Sequence, residues 1–215
     1  MKKVITDVAI QFKNASLILK SFNKHGYIGW LDFGSLLGLI RDGKMISWDK
    51  DIDISFIGTQ EDALEVLRVC YSELGYDYLG KHHLRNKDSE FYSSKHITTI
   101  KIHSARNDYV FVCHDSRKYF WGEQKPEIRS YPWIDIYPVK KEDNYITYGH
   151  HTLDLWGFDS EFLEPLLEGY FMGNNFLIPN QSEKVLESHY TDSWRIPIKI
   201  SSKRLLALKK SKEKI

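Results

Sequence analysis

Cys70 and Cys113 are the only cysteines in the 215 residues. They form no CxxC pair and no spacing suited to a structural zinc, which argues against a disulfide framework and for a reducing setting. Net charge is equally scarce. Thirty Lys and Arg against 29 Asp and Glu leave +1, so no general basic field draws the chain to nucleic acid, and an anionic partner has to be held by a local site. No stretch approaches the roughly 18 apolar residues of a membrane span. Lys2 and Lys3 open the chain, but Asp7, Gln11 and Lys13 interrupt the apolar residues behind them before a signal-peptide core could form. The expectation is a soluble, cytoplasmic protein. There is no internal repeat and no low-complexity linker.

What is present is enough apolar material for a sizeable core, 42% of the residues, with six Trp and 13 Tyr among them. Apolar residues at helical spacing (Val8, Phe12, Ala15, Leu19, Phe22) mark a helix over Val4 to Lys24, stopped by His25-Gly26. Tyr27 to Phe33 reads as a strand running into Gly34-Ser35 and a short helix Leu36 to Ile40, closed beyond Arg41 by Gly43. A second strand, Asp51 to Ile57, precedes a helix Glu61 to Leu74. Extended pieces follow at His96 to His103, Tyr109 to Cys113 and Trp133 to Val139. A helix Glu161 to Glu168, a hairpin through Gly173-Asn174-Asn175 and a helix Ser182 to Tyr190 complete the reading. Strands and helices alternate, so the fold class is α/β, a mixed α+β core with a mixed sheet flanked by helices and a C-terminal extension. Residues 1–200 read as one domain and 201–215 as a basic tail.

The chemistry gathers on acids. Side chains alternate along a strand, so Asp51 and Asp53 share a face roughly 7 Å apart while Ile52 and Ile54 face a core. Such a pair can share divalent cations, since hard carboxylate oxygens suit Mg²⁺ or Mn²⁺ and two ions about 4 Å apart can clamp a phosphoryl transfer. A bare Asp-x-Asp is more often a solvated strand edge. Its surroundings change that: Gly34-Ser35 ends a strand and opens a helix, whose free N–H groups, with the Ser35 hydroxyl, suit a donor phosphate. Asp135, in Trp133-Ile134-Asp135-Ile136-Tyr137, is an acid in a strand otherwise built for burial, where metal coordination or a salt bridge would remove the cost of an isolated charge. The order strand, Gly-Ser, helix, Asp-x-Asp strand and later strand acid is the layout of a nucleotidyltransferase fold. Asp51, Asp53 and Asp135 are thus the candidate catalytic and metal-ligating residues. Arg41 is a candidate phosphate clamp because its planar fork matches phosphate oxygens, with a plain surface arginine as the alternative. Asp49 shares strand parity with the pair and is assigned support over ligation. Trp48 is a supporting residue, read as a core plug more than a stacking partner.

Segment 31–54, with Gly34-Ser-Leu-Leu-Gly38, Arg41 and Trp48-Asp-Lys-Asp-Ile-Asp-Ile54, resembles the signature of the LicD/fukutin-related family. Trp133-Ile-Asp-Ile-Tyr-Pro138 resembles its third-carboxylate strand, and Ile178-Pro179 with His189-Tyr-Thr-Asp-Ser-Trp-Arg-Ile-Pro197 its C-terminal block. The chain departs from the pattern at Ser47 (usually Pro), Lys50 (often Asp) and Thr191 (often Gly). The resemblance implies transfer of a phospho-alcohol, phosphocholine foremost or else ribitol or glycerol phosphate, from a CDP-linked donor to a sugar hydroxyl of a cell-surface glycan, with release of CMP. It further implies CDP-choline as the leading donor, a glycan or lipid-linked oligosaccharide as acceptor, two Mg²⁺ or Mn²⁺ ions, and Asp135 as proton acceptor.

Two rivals stand beside that expectation: a nucleotidyltransferase handing a nucleoside monophosphate to a small acceptor, and a non-catalytic glycan-binding module. The pairs His82-His83 and His150-His151 lack the helical spacing of a zinc site. Leu205, Leu206 and Leu208 sit among the lysines of the tail, which reads as a frayed end or as a peripheral contact with a membrane surface. Trp194 and Arg195 read equally as an acceptor wall or a structural clasp.

Overall fold

The computed structural model describes residues 3–6, 8–73, 99–103, 109–113, 118–121, 128–148, 157–197 and 199. β1 (Lys3–Thr6) leads into α1 (Val8–Lys24), β2 (Gly29–Leu31) and α2 (Phe33–Leu37), which continues as a π-helical turn over Gly38–Asp42. β3 (Asp51–Ile57) and α3 (Gln60–Glu73) follow, then β4 (Thr99–His103), β5 (Tyr109–Cys113), β6 (Lys118–Trp121) and β7 (Ile128–Tyr131). β8 (Trp133–Glu142) precedes β9 (Tyr145–Thr147) and β10 (Phe158–Asp159). The last elements are a 3₁₀ turn (Ser160–Phe162), the hairpin β11 (Leu167–Phe171) and β12 (Asn174–Ile178), α4 (Ser182–Tyr190) and a 3₁₀ turn over Asp192–Arg195.

β8 is the axis of the main sheet. It runs parallel to β3 on one side and to β4 on the other, in registers that set Asp53 opposite Asp135 and Asp135 opposite Lys101. β2 adds antiparallel to the outer edge of β3, β5 and β6 extend antiparallel from β4, and β9 and β10 build on the far end of β8. The result is a mixed sheet of eight strands flanked by helices.

Strand alternation gives β3 two different faces. Ile52, Ile54 and Phe56 are fully buried; Phe22 of α1 stacks on Phe56 with ring centroids 4.3 Å apart, and Ala63, Val66 and Leu67 of α3 join the same core. The other face carries Asp51, Asp53 and Ser55, and α2 lies over it. The C-terminal hairpin covers α1: Phe12 meets Phe171 and Phe176 edge-on at 5.2 and 6.2 Å, and Ser16 Oγ donates to the Asn175 carbonyl at 2.8 Å.

Three elements differ from expectation, each for a local reason. Lys3–Thr6 is a strand paired in parallel with β7, so the first helix starts at Val8 and not at Val4; the branched Val4, Ile5 and Thr6 suit a strand better than a helix. The strand after Tyr27 is only Gly29–Leu31 because the Asp32 side chain caps the next helix, accepting from the Phe33 N–H at 2.8 Å. Glu161 to Glu168 is no helix. Pro165 cannot supply an interior helical N–H, the turn ends at Phe162, and Leu167 is already paired with Ile178 in the hairpin. The tail 201–215, the segments 82–83 and 150–151, and the first residues of the strand expected over 96–103 lie outside the described residues.

α4 ends at Thr191, whose φ of 62° and ψ of −177° fall in a region that glycine alone visits freely. This is the position at which the resembled signature carries glycine. Thr191→Gly should therefore raise stability by about 1 kcal/mol, less a few tenths for the lost contact with Ser193 Oγ. Urea unfolding measures it, and a lowered midpoint would count against the strain.

Candidate active site

β3 delivers Asp51 and Asp53 to the face beneath α2, and the turn before it brings Asp49 alongside. One carboxylate oxygen from each of Asp49, Asp51 and Asp53 lies within 4.8 Å of the other two, a spacing that one cation can span. Asp53 is locked by two bonds to Ser35: its N–H donates to Ser35 Oγ at 3.0 Å, and its Oδ2 accepts from the Ser35 N–H at 3.3 Å. Ser35 Oγ accepts in the first bond, so its own proton remains available for a further acceptor. Trp133 Nε1 donates to Asp51 Oδ2 at 3.2 Å.

Gly34 is required by this crowding. A Cβ there would run into the Asp49 carboxylate and come within 3.2 Å of Asp53 Oδ2. Gly34 and Ser35 thus stand against the acids, in the first turn of α2.

Asp135, 1% exposed, is held through one oxygen only. Oδ2 lies 2.5 Å from Lys101 Nζ, accepts from His103 Nε2 at 3.2 Å and from Tyr137 Oη at 3.4 Å, and Oδ1 is buried with no hydrogen-bond partner among the described residues. The His103 ring stacks on Tyr137 with centroids 4.1 Å apart. Lys101 and His103, neither legible as site residues in the sequence, come from β4 through the parallel register; no local signal marks them.

The remaining candidates are placed as follows. Arg41 bonds both oxygens of Asp42 at 2.8 Å and donates to the Trp194 carbonyl at 3.2 Å, so its fork is engaged within the fold. Trp48 is 38% exposed. It is not a core plug, because it lies in the surface turn that leads to Asp49. Trp194 is buried, while Arg195 lies over its ring and reaches Glu183 and Glu187, the arrangement of a clasp. An open cleft of about 640 Å³ adjoins the acids at Asp49 and is lined by Met45, Ile46, Ser47, Lys50, Pro132, Val8 and Met172.

One buried network escaped sequence reading altogether. Asp32, fully buried, with its N–H on the Asp53 carbonyl at 3.0 Å, accepts from Ser55 Oγ at 2.6 Å, from Tyr148 Oη and from His189 Nε2 at 2.9 Å. Burial alone would raise its pKa, but His189, aided by Ser55 and Tyr148, overrides burial and holds the carboxyl below the ordinary range. His189 belongs to the C-terminal block, which is thereby fastened to the residue that starts α2.

The acids carry opposite electrostatics. Burial first, then the neighbouring carboxylates, push Asp51 up to about 8 and Asp53 well above the ordinary carboxylate value. Asp135 goes the other way: burial is outweighed by Lys101 and His103, which keep it ionised. Crowded, desolvated oxygens and an orphaned Oδ1 are what a hard divalent cation would satisfy, so the donor set fits one.

A carboxyl whose pKa is raised by folding favours the folded chain while it keeps its proton. That contribution is whole below about pH 4, where the unfolded carboxyl also protonates, and is lost as pH rises toward about 8. Without divalent ions the melting temperature should fall over this range. Mg²⁺ should restore it more at about pH 8 than at about pH 5, and Asp51→Asn should flatten both responses. Melting curves with chelator and with Mg²⁺ decide it; an Mg²⁺ response unchanged in Asp51→Asn would remove the assignment.

The family model described as "LicD/FKTN/FKRP, nucleotidyltransferase domain" matches residues 26–181. No curated protein matches the chain. Among solved structures, the chain is similar to the solution structure of the antibiotic-resistance factor ANT(2'')-Ia, a protein with substrate-regulated conformation dynamics. The identity is 14%, over 95% of this chain and 86% of that one, with a TM-score of 0.38.

Proposed function

The chain belongs to the LicD/FKTN/FKRP nucleotidyltransferase family and is a transferase of that family, and we propose that it moves a phospho-alcohol from a CDP-linked donor to a sugar hydroxyl of a glycan, releasing CMP. Phosphocholine is the leading group, ribitol or glycerol phosphate the next. The observation that carries the reading is the in-register pair Asp53 and Asp135 on adjacent parallel strands, with Asp51 and Asp49 beside them and Ser35 locking Asp53.

Asp49, Asp51 and Asp53 are the residues that would hold Mg²⁺ or Mn²⁺, while Oδ1 of Asp135, without a hydrogen-bond partner among the described residues, is left to accept a proton. A bound ion there supplies charge neutralisation to the donor diphosphate and its transition state. Ser35 offers its hydroxyl proton to a phosphate oxygen, and Gly34 leaves the main chain accessible beside it. Arg41 acts by bracing the turn after α2 on Asp42 and the Trp194 carbonyl, one step from the phosphates. The acceptor oxygen attacks the phosphorus that carries the alcohol, the bond from that phosphorus to the oxygen of CMP breaks, and the hydroxyl proton passes to Asp135. A loose phosphoryl-transfer transition state asks little of the base, so a carboxylate kept ionised by Lys101 and His103 suffices.

Incubating the chain and Mg²⁺ with CDP-choline, CDP-glycerol and CDP-ribitol, with and without a glycan acceptor, should release CMP from one donor. Asp51→Ala or Asp53→Ala should cut the rate about 10³-fold with the circular dichroism spectrum unchanged. The proposal fails if every donor stays intact while Asp53→Ala behaves as wild type. Pyrophosphate release from a nucleoside triphosphate would mark nucleotidyl transfer instead.

A further inference from the structure

We infer that the cleft beside Asp49 holds the nucleoside of the donor, its base against Met45 and Met172, while the acceptor sugar reaches the acids from the Asp135 side. The inference deepens the transferase reading above and rests on it for the identity of the two substrates.

In a phosphoryl transfer the attacking and leaving oxygens lie roughly in line, on opposite sides of the phosphorus. The two substrates must therefore come to the acids from opposite sides. β3, which carries Asp51 and Asp53, lies between β2 and β8. Asp135 stands on β8, and its partnerless Oδ1 marks the side on which an acceptor hydroxyl can give up its proton. Asp49 belongs to the other side. It crowds Gly34 in the first turn of α2, the helix that follows β2, and it is Asp49, not Asp135, that completes the acid cluster with Asp51 and Asp53. The cleft of about 640 Å³ meets the acids at Asp49. What it adjoins is the leaving half of the donor.

The lining fits that occupant. Its apolar walls are brought together from separate parts of the fold: Val8 at the start of α1, Met45 and Ile46 before β3, Pro132 ahead of β8, and Met172 in the hairpin turn. A mainly apolar slot of this size suits a nucleoside. A sugar carries hydroxyls all round and would bury them against such walls at a cost, whereas a flat base gains from thioether sulfur beside its ring. The polar groups among the described lining residues are those of Ser47, Lys50 and Asp49, which can serve a ribose and one edge of a base. Met172 gives a second sign. Its φ of 48°, in the tight Met172-Gly173 turn between β11 and β12, suits glycine or asparagine, so methionine adds backbone strain that the hairpin does not require while its side chain lines the cleft.

Labelling the full chain with [methyl-¹³C]methionine reports on the cleft without turnover, and Met45→Leu and Met172→Leu assign the two signals. Adding CDP with Mg²⁺ should move both signals upfield through the ring current of the base, and ribose 5-phosphate, which has no base, should not. Met172→Gly, which suits the turn, should weaken CDP binding about tenfold by calorimetry and raise the KM for the donor but not for the acceptor. CDP that binds without moving either signal overturns the inference, as does no CDP binding at all, or a folded Met172→Gly that holds CDP as tightly as the wild type or raises the acceptor KM alone. Should Met172→Gly fail to fold, the methyl shifts still decide. If CDP moves both signals while no CDP-linked donor is consumed, the transferase reading fails and the cleft assignment stands. CMP release by a chain whose methionine signals stay put under CDP sinks this inference alone.

Discussion

Mutual repulsion among desolvated carboxylates is the constraint around which this molecule is arranged. Asp49, Asp51 and Asp53 converge within 4.8 Å, and Asp135 faces them from the next strand. Each would be happier in water. The surrounding structure compensates unevenly: Ser35 gives Asp53 two bonds, Trp133 gives Asp51 one, and Asp135 is neutralised by Lys101 and hydrogen-bonded by His103. Among the described residues the two acids of β3 have no ion-pair partner and are driven toward protonation, while Asp135 is not. That asymmetry follows from which of the acids has a lysine beside it.

Holding the acids so close requires a rigid frame, and the frame is a second buried acid. Asp32 caps α2 through Phe33 N–H and binds Ser55, Tyr148 and His189 through its side chain. Strand, helix start and C-terminal helix therefore meet at one carboxylate. Phe33 stacks on His189 with centroids 4.5 Å apart and lies 4.8 Å from Tyr137, which donates to Asp135. A continuous line of ring contacts and hydrogen bonds thus joins the C-terminal block to the acids. Position 191 carries the cost of this closure in its backbone, since the chain must turn sharply after His189 has reached Asp32.

The mixed sheet, the helices on both of its sides, the Asp-x-Asp strand and the strand of Asp135 were legible from residue order alone. Strand alternation and helical spacing depend on neighbours a few positions apart, and those patterns are strong over α1, β3, α3, β8 and α4. Local reading failed where a distant partner or a single residue outvoted the pattern. Thr6 is in a strand because β7 lies beside it, Pro165 breaks an otherwise helical run, and Asp32 shortens β2 by capping α2.

By itself, the sequence determined which residues alternate along β3 and β8, and therefore that acids would share one face and isoleucines the other. It also carried the family motif. Only the tertiary structure decided which acids meet, which counterions they find and how far each is desolvated. Register between parallel strands is set by crossover connections and by the core, so nothing near Asp135 in the chain reveals that Lys101 will be its neighbour. Asp49 joins the cluster, Trp48 lies at the surface and Arg41 turns to Asp42 for the same reason: side-chain partners follow from where whole elements dock.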